Sequence, residues 1–400
     1  MNSDVLVLGA GPAGIAVSLL MAGSGYNVEI LDPAFFPRKK ICGEFLNPQA
    51  TEWLHNRNLL KPLLDLNPFP VFGMKIFDLQ NNSFTGHYAP RGKGKGYAIP
   101  RKEFDTIMVA EARKAGISIR EGFKAEHLII ENGQAVGVSG TDSNGTRFEK
   151  RSRILVGADG RNNLIGRTFG WMRGIRHLRK YAFMTYFEGL AELSNYGEVH
   201  LVPGGYIGIA PLTDTVANVA LVVDEKVLSQ QCLNGNSKDF LLANIASSAM
   251  RQRFDGLEPI APVLTAGPLA FEMVRTSGRG TILVGDTCGF IDPFTGEGIN
   301  YAYLSATMAV RVLDQALRSN HINDETLAAY DRERQRTFGR KFKMARLLQK
   351  AITWPAVSKF LVQRFAKTIE LGDTVVSAVG STVPVERVWS LRFLWKVVFS

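Results

Sequence analysis

The opening of the chain constrains its fold more than any other segment. Asp4-Val-Leu-Val-Leu8 is a short apolar run of β-prone residues that ends in glycine. Gly9-Ala-Gly-Pro-Ala-Gly14 follows directly, and Ile15 to Ala22 suits a buried helix that Gly25 can end. Val28-Glu-Ile-Leu-Asp32 then reads as a second strand, completing a βαβ unit of about 30 residues. Gly9 allows a tight turn, Gly11 lets the backbone approach a pyrophosphate, and Gly14 lets helix and strand pack closely. Pro12 and Ala13 fall where the helix begins, and its unpaired N–H groups attract phosphate. Asp32 ends the second strand, where a carboxylate accepts hydrogen bonds from a ribose. The unit predicts a dinucleotide site but does not separate NAD from FAD.

Two further segments do. Gly157-Ala-Asp159-Gly160 with Arg167 resembles the DG motif of flavoproteins built like aromatic hydroxylases, and Gly285-Asp286 with Asp292-Pro-Phe-Thr-Gly296-Glu-Gly298-Ile299 resembles their GD motif. The resemblance implies FAD. It gives Asp286 the ribityl hydroxyls, and gives Gly296, Gly298 and Ile299 a helix start near N1 and O2 of the isoalloxazine, where a positive dipole end stabilises negative charge. Within that superfamily, Gly285-Asp-Thr-Cys-Gly-Phe290 is closer to the geranylgeranyl reductase branch than to the His-bearing hydroxylases. Pro37-Arg38-Lys-Lys-Ile-Cys42-Gly43-Glu44 is similar to that branch's basic, Cys-Gly segment near the flavin. Pro203-Gly-Gly-Tyr206-Ile-Gly-Ile-Ala-Pro211 is similar to its strand beside the ring. Two departures stand out: Glu44 replaces a glycine, and Ile209 replaces an aromatic. Arg101 matches an arginine that precedes a helix and touches FAD.

The resemblance therefore implies an α/β chain. Its Rossmann-type FAD domain is discontinuous (1–70, 97–170 and 270–330). An inserted, mainly antiparallel substrate domain takes 71–96 and 171–269, and a basic helical region takes 331–400. The activity implied is hydride transfer from reduced flavin to a C=C bond of a lipophilic, isoprenoid-like molecule. Cys42 and Tyr206 are the candidate proton donors. No second dinucleotide fingerprint occurs, so NAD(P)H, the expected transient electron donor, would visit the flavin without a domain of its own; a separate electron donor is the alternative. A monooxygenase acting on a lipophilic phenol or quinone precursor needs nearly the same scaffold. The Trp-rich WxWxIP signature of flavin halogenases is absent.

Composition narrows the setting. Cys42, Cys232 and Cys288 lie far apart and form neither a disulfide framework nor a metal spacing, which points to a reducing, cytoplasmic environment. The histidines (His55, His87, His127, His177, His200 and His321) sit in no ligand spacing, so no metal is expected. No apolar run approaches the roughly 18 residues of a membrane span. The formal charge is +10, and residues 331–400 hold 14 Lys or Arg against 5 Asp or Glu. Such a patch attracts anionic lipid or acidic partners and predicts peripheral membrane contact; the flavoprotein motifs give no reason to expect nucleic acid. The loop Arg91-Gly-Lys-Gly-Lys-Gly96 adds a second basic stretch.

Overall fold

The computed structural model describes residues 3–88, 94–175, 178–231 and 235–399. Arg91, Gly92, Lys93, His177, Cys232 and the side chain of Ile352 lie outside the described residues.

Ser3–Leu8, Val28–Asp32, Ser118–Glu121, Arg147–Gly157 and Thr281–Leu283 form one parallel sheet. Taking these strands in chain order, the spatial order is 5-4-1-2-3, the doubly wound arrangement of dinucleotide-binding folds. Their apolar runs are buried on both faces: Val5, Leu6, Val7, Ile30, Ile154, Leu155 and Ile282 are all inaccessible to solvent. The helices Pro12–Met21 and Gly298–Ser319 pack on this sheet and on each other. Register sets Leu8 beside Leu31 and Gly157, and Gly157 beside Leu283. The strand ends that carry Gly9, Asp32, Asp159 and Gly285 are therefore neighbours, at the carboxyl edge where such sheets bind ligands.

A second sheet has seven strands. From one edge they are Leu264–Ala266, Lys180–Glu188, Val216–Asp224, Gly205–Pro211, Gly197–Val202, Gly73–Phe77 and Ser83–His87. Every pairing is antiparallel except that of Gly197–Val202 with Gly73–Phe77. Strand alternation gives this sheet two unlike faces. Phe183, Phe187, Ile207, Ile209, Val219 and Leu221 pack against Phe240, Leu241 and Ile245 of the helix Ser237–Ala246. Ala182, Tyr206, Gly208, Ala210, Ala220 and Val222 face the other way, into a cavity between the sheets. Ile209, where the resemblance leads one to expect an aromatic, thus points away from the cavity into the core on the far face.

The basic C-terminal residues are helical and well anchored. The helix Asp324–Thr353 begins before position 331, so the boundary expected there falls inside a continuous helix. Pro355–Lys367, Ile369–Val379 and Leu391–Phe399 follow, and Val362, Phe365, Leu371, Val376 and Phe393 share a core with Val71 and with Phe84 of the second sheet's edge strand. Pro355 stands at the first position of its helix, where its missing N–H costs nothing, and the chain breaks at Trp354. No helix among the described residues is long and apolar enough to cross a membrane.

Candidate active site

A cavity of about 1210 Å³ runs from the carboxyl edge of the parallel sheet to the inner face of the second sheet. That exceeds the roughly 300–1,000 Å³ of ordinary small-molecule pockets. It has room for an extended dinucleotide and for a second molecule beside it. Of the glycines and other residues expected to hold the cofactor, Gly9, Gly11, Pro12, Ala13, Asp32, Arg38, Cys42, Gly43 and Arg101 line it. Asp159, Gly160, Gly285, Asp286, Gly296, Gly298, Ile299 and the candidate Tyr206 line it too. Gly14 alone does not. It sits behind the turn, where an added Cβ would stand 1.9 Å from the Gly9 carbonyl oxygen.

The lining suits FAD. Gly9 has φ +106°, and a Cβ there would meet the Ala158 carbonyl oxygen at 2.6 Å, so only glycine fits. A Cβ on Gly11 would meet nothing closer than Arg38 Nη2 at 3.8 Å, leaving its backbone open to a phosphate. The helix Pro12–Met21 has no side-chain cap, so its leading N–H groups are available to an anion. Asp32 accepts from Ala10 N–H and Ala34 N–H at 2.8 Å each, which fixes its carboxylate at the cavity edge. Further along, Asp159 Oδ1 and Arg38 Nε are buried without a hydrogen-bond partner among the described residues. Burial pushes the Asp159 carboxyl up to about 6, and burial also raises that of Asp286 against the pull of Lys40, Arg101 and Arg161. Polar atoms left unpaired in a buried wall are costly without a ligand, and the hydroxyls of an extended FAD supply such partners. The helix Gly298–Ser319 likewise starts without a side-chain cap at the cavity wall.

Cys42 lies where this polar wall meets the second sheet. Burial raises its thiol, partly offset by the Arg101 guanidinium. Arg101 is itself held by a bidentate pair with Asp105 at 2.9 and 2.8 Å, so it enters the cavity wall already neutralised. Arg38 reaches the same carboxylate at 3.6 Å. Tyr206 is committed elsewhere: its hydroxyl donates to Asp292 Oδ1 at 2.6 Å, and burial together with Asp292 raises it well above the ordinary tyrosine value. A phenol so held is a poor acid and a good anchor. Cys288 is packing, with its thiol donating to the Leu283 carbonyl at 2.9 Å.

Two residues quoted within the motifs, Glu44 and Asp292, prove to be the centres of polar clusters that the motifs did not predict. The first centres on Glu44, 2% exposed and in the left-handed region at φ +59°, which explains why a glycine suits this position. Its carboxylate accepts from Tyr186 Oη at 2.7 Å, Asn218 Nδ2 at 3.1 Å and Arg101 N–H at 3.2 Å. Burial nonetheless pushes Glu44 up to about 7. The second is Asp292, which accepts from Tyr206, from Phe294 N–H at 2.8 Å and from Gln349 Nε2 at 2.5 Å, and lies 3.4 Å from the buried ammonium of Lys180. It ties the second sheet and the helix Asp324–Thr353 to the loop that leads into Gly298. Lys180 lies in a strand whose alternation gives no sign of a buried charge, so only the packing exposes this pair.

Glu44 gives a pH-dependent expectation for the flavin-free protein. Its folded value of about 7 stands above the ordinary 4.5, so the folded chain keeps a proton that the unfolded chain has released. That contribution is fully present below about 4.5 and is lost as pH rises through about 7. Glu44→Gln, neutral throughout, is expected to lose up to about 3 kcal/mol less than the parent protein across this window, the losses from Asp159 and Asp286 being common to both. Urea unfolding at both ends of the window checks it; parallel losses in the two proteins would show that Glu44 does not carry the effect.

The fold and this cavity define a flavoprotein of the aromatic hydroxylase type, and similarity to known proteins agrees. The family model described as FAD binding domain matches residues 2–343. The chain belongs to this family and is an FAD-dependent oxidoreductase. It is 27% identical over 361 residues to digeranylgeranylglycerophospholipid reductase 2 of Methanopyrus kandleri, covering 86% of this chain and 85% of that one. Among solved structures, a flavoprotein/dehydrogenase from Cytophaga hutchinsonii matches with a TM-score of 0.84 at 21% identity, over 99% of this chain and 95% of that one. A flavin-dependent brominase matches with a TM-score of 0.83 at 19% identity, over 95% and 94%. These two structures share the fold.

Proposed function

We propose that this chain reduces a C=C bond in an isoprenoid-like or other lipophilic molecule. The observation that carries the reading is the contrast within one cavity. The flavin motifs line one side, and Ala182, Gly208, Ala210, Ala220 and Ala266 line the other. Small apolar residues on this face leave room for an extended hydrocarbon, and its Tyr206 and Asn218 already donate to Asp292 and Glu44. The reductase named for the Methanopyrus kandleri relative is in keeping with this. FAD, when bound and reduced, supplies the hydride. NAD(P)H, visiting without a domain of its own, is the proposed source of electrons.

Reduction of a C=C bond takes a hydride at one carbon and a proton at the other. Cys42 is the proposed proton donor. It is a neutral thiol at ordinary pH, since burial raises it, and it lines the cavity between the flavin motifs and the apolar slot. The Glu44 amide N–H donates to Cys42 Sγ at 3.3 Å and the Asn218 side chain donates to the Cys42 carbonyl at 3.1 Å, which together orient the residue. Tyr206 positions Asp292 and the flavin-side loop.

The test is anaerobic. Enzyme reduced under argon and mixed with a polyprenyl lipid is expected to reoxidise and yield a product two mass units heavier per turnover. Cys42→Ala should keep its flavin and slow this step by about 100-fold, the usual contribution of one positioned acid. Reoxidation only after oxygen is admitted, with one oxygen atom gained by the product, would instead identify a monooxygenase.

A further inference from the structure

The helix Leu391–Phe399 is apolar on two opposite sides, and the fold uses only one. Phe393 is buried and Val397 packs beside it, in the core shared with Val362, Phe365 and Leu371. One apolar stripe is enough to dock a helix on a globular core. Yet Leu391, Leu394, Trp395 and Val398 recur at i, i+3, i+4 and i+7 on the outer side, 85, 44, 60 and 59% exposed. Two neighbouring helices carry exposed apolar residues of their own. Lys396 pairs with Glu370 at 2.7 Å, which brings the start of Ile369–Val379 alongside, and Ile369 is 65% exposed. Arg364 Nη2 donates to the Lys396 carbonyl at 2.7 Å, joining Pro355–Lys367, whose Phe360 is 49% exposed. Exposed apolar residues that recur along one side of a helix mark an interaction surface.

Charge decides the partner. The helix Leu391–Phe399 carries Arg392 and Lys396, of which Glu370 offsets one charge, and exposed Lys359 and Lys367 on Pro355–Lys367 keep the surroundings net positive. Two copies meeting through this face would bring these cations together at close range, which disfavours self-association. A bilayer with anionic headgroups satisfies both halves: acyl chains take the Leu, Val and Trp side chains, and headgroups take the cations. We propose that the face formed by Leu391, Leu394, Trp395, Val398, Phe360 and Ile369 seats this protein on an anionic lipid surface. The proposal does not depend on which reaction the cavity performs, and its test reads no turnover.

The experiment uses full-length protein with FAD bound. It follows co-sedimentation with vesicles of phosphatidylcholine alone and of phosphatidylcholine mixed with phosphatidylglycerol, together with the tryptophan emission maximum. Point variants are used because the helix Asp324–Thr353 supplies Phe338 to the main core, so deleting the chain after Tyr330 would unfold it. The parent protein is expected to pellet with the anionic vesicles, less so at high salt, and to shift its emission to the blue. Leu394→Glu with Trp395→Glu should reduce pelleting by about tenfold or more while flavin content and melting temperature are kept. Arg392→Glu should weaken binding to anionic vesicles without changing its behaviour toward neutral ones. Equal pelleting of parent and double variant would overturn the proposal. So would a parent dimer in sedimentation equilibrium that the double variant abolishes while vesicle binding is absent, since the face would then belong to a second copy.

Discussion

Gly14→Ala is expected to yield folded protein that has lost its flavin. The added Cβ would stand 1.9 Å from the Gly9 carbonyl oxygen, 3.1 Å from Val7 Cγ1 and 3.2 Å from Ala158 Cβ. The first of these is backbone in a turn already held at φ +106°, so the helix Pro12–Met21 must lift instead. Lifting it displaces the N–H groups that face the pyrophosphate and opens the turn at Gly11. Such overpacking costs about 1–3 kcal/mol of stability, which a chain of this size survives. The loss of binding is the larger effect, expected at 100-fold or more, or about 2.7 kcal/mol. The ratio of flavin to protein absorbance after purification reads it directly. Gly25→Ala is the matched control at the far end of the same unit. Its φ is +84° with nothing near the added atom, so it should lose about 1–2 kcal/mol from backbone strain and keep its flavin. Full occupancy in Gly14→Ala would mean that this turn does not carry the cofactor.

The second large effect is at Asp292. Removing this carboxylate takes away the counter-charge 3.4 Å from the Lys180 ammonium, 2% exposed, and leaves only the weaker pull of Asp224. Breaking one side of a buried ion pair costs about 3–5 kcal/mol, far more than the intact pair contributes. Asp292 also receives Tyr206, Gln349 and the Phe294 amide, so its loss frees the loop that precedes Gly298. Asp292→Ala is therefore expected to unfold at markedly lower urea concentration and to hold flavin weakly. Adding Lys180→Met removes the stranded charge and should recover stability beyond the single variant, while the loop and the flavin affinity stay impaired. Tyr206→Phe, which removes one hydrogen bond to a carboxylate, should cost only about 1.5–3 kcal/mol. A double variant no more stable than Asp292→Ala would show that Lys180 finds its compensation elsewhere.

Much of this site was legible in the sequence because its chemistry is made by short backbone motifs. Gly9, Asp32, Asp159 and Gly285 each follow a buried strand, and a turn after a strand is a local event that residue order dictates. Glu44 was half legible. It occupies a place where a glycine is expected, which signals a left-handed backbone, yet nothing nearby in sequence announces Tyr186 and Asn218 as its partners. Tyr206 was recognised as a cavity residue, but its commitment to Asp292 joins positions 86 residues apart. The fate of Ile209 turned on strand parity, and the family pattern alone did not say which face it took.

Residue order by itself determined the strand–turn–helix unit, the glycines that its turns require and the sign of charge over residues 331–400. These follow from steric limits on φ, from hydrophobic periodicity and from counting. Tertiary structure alone decided the rest. It set which face of the second sheet lines the cavity, and that a buried lysine meets Asp292. It also fixed which side of the helix Leu391–Phe399 was left outward. The reason is physical: each of these depends on contacts between segments far apart in the chain, and burial or a charge partner is a property of the packed neighbours, which no local pattern encodes.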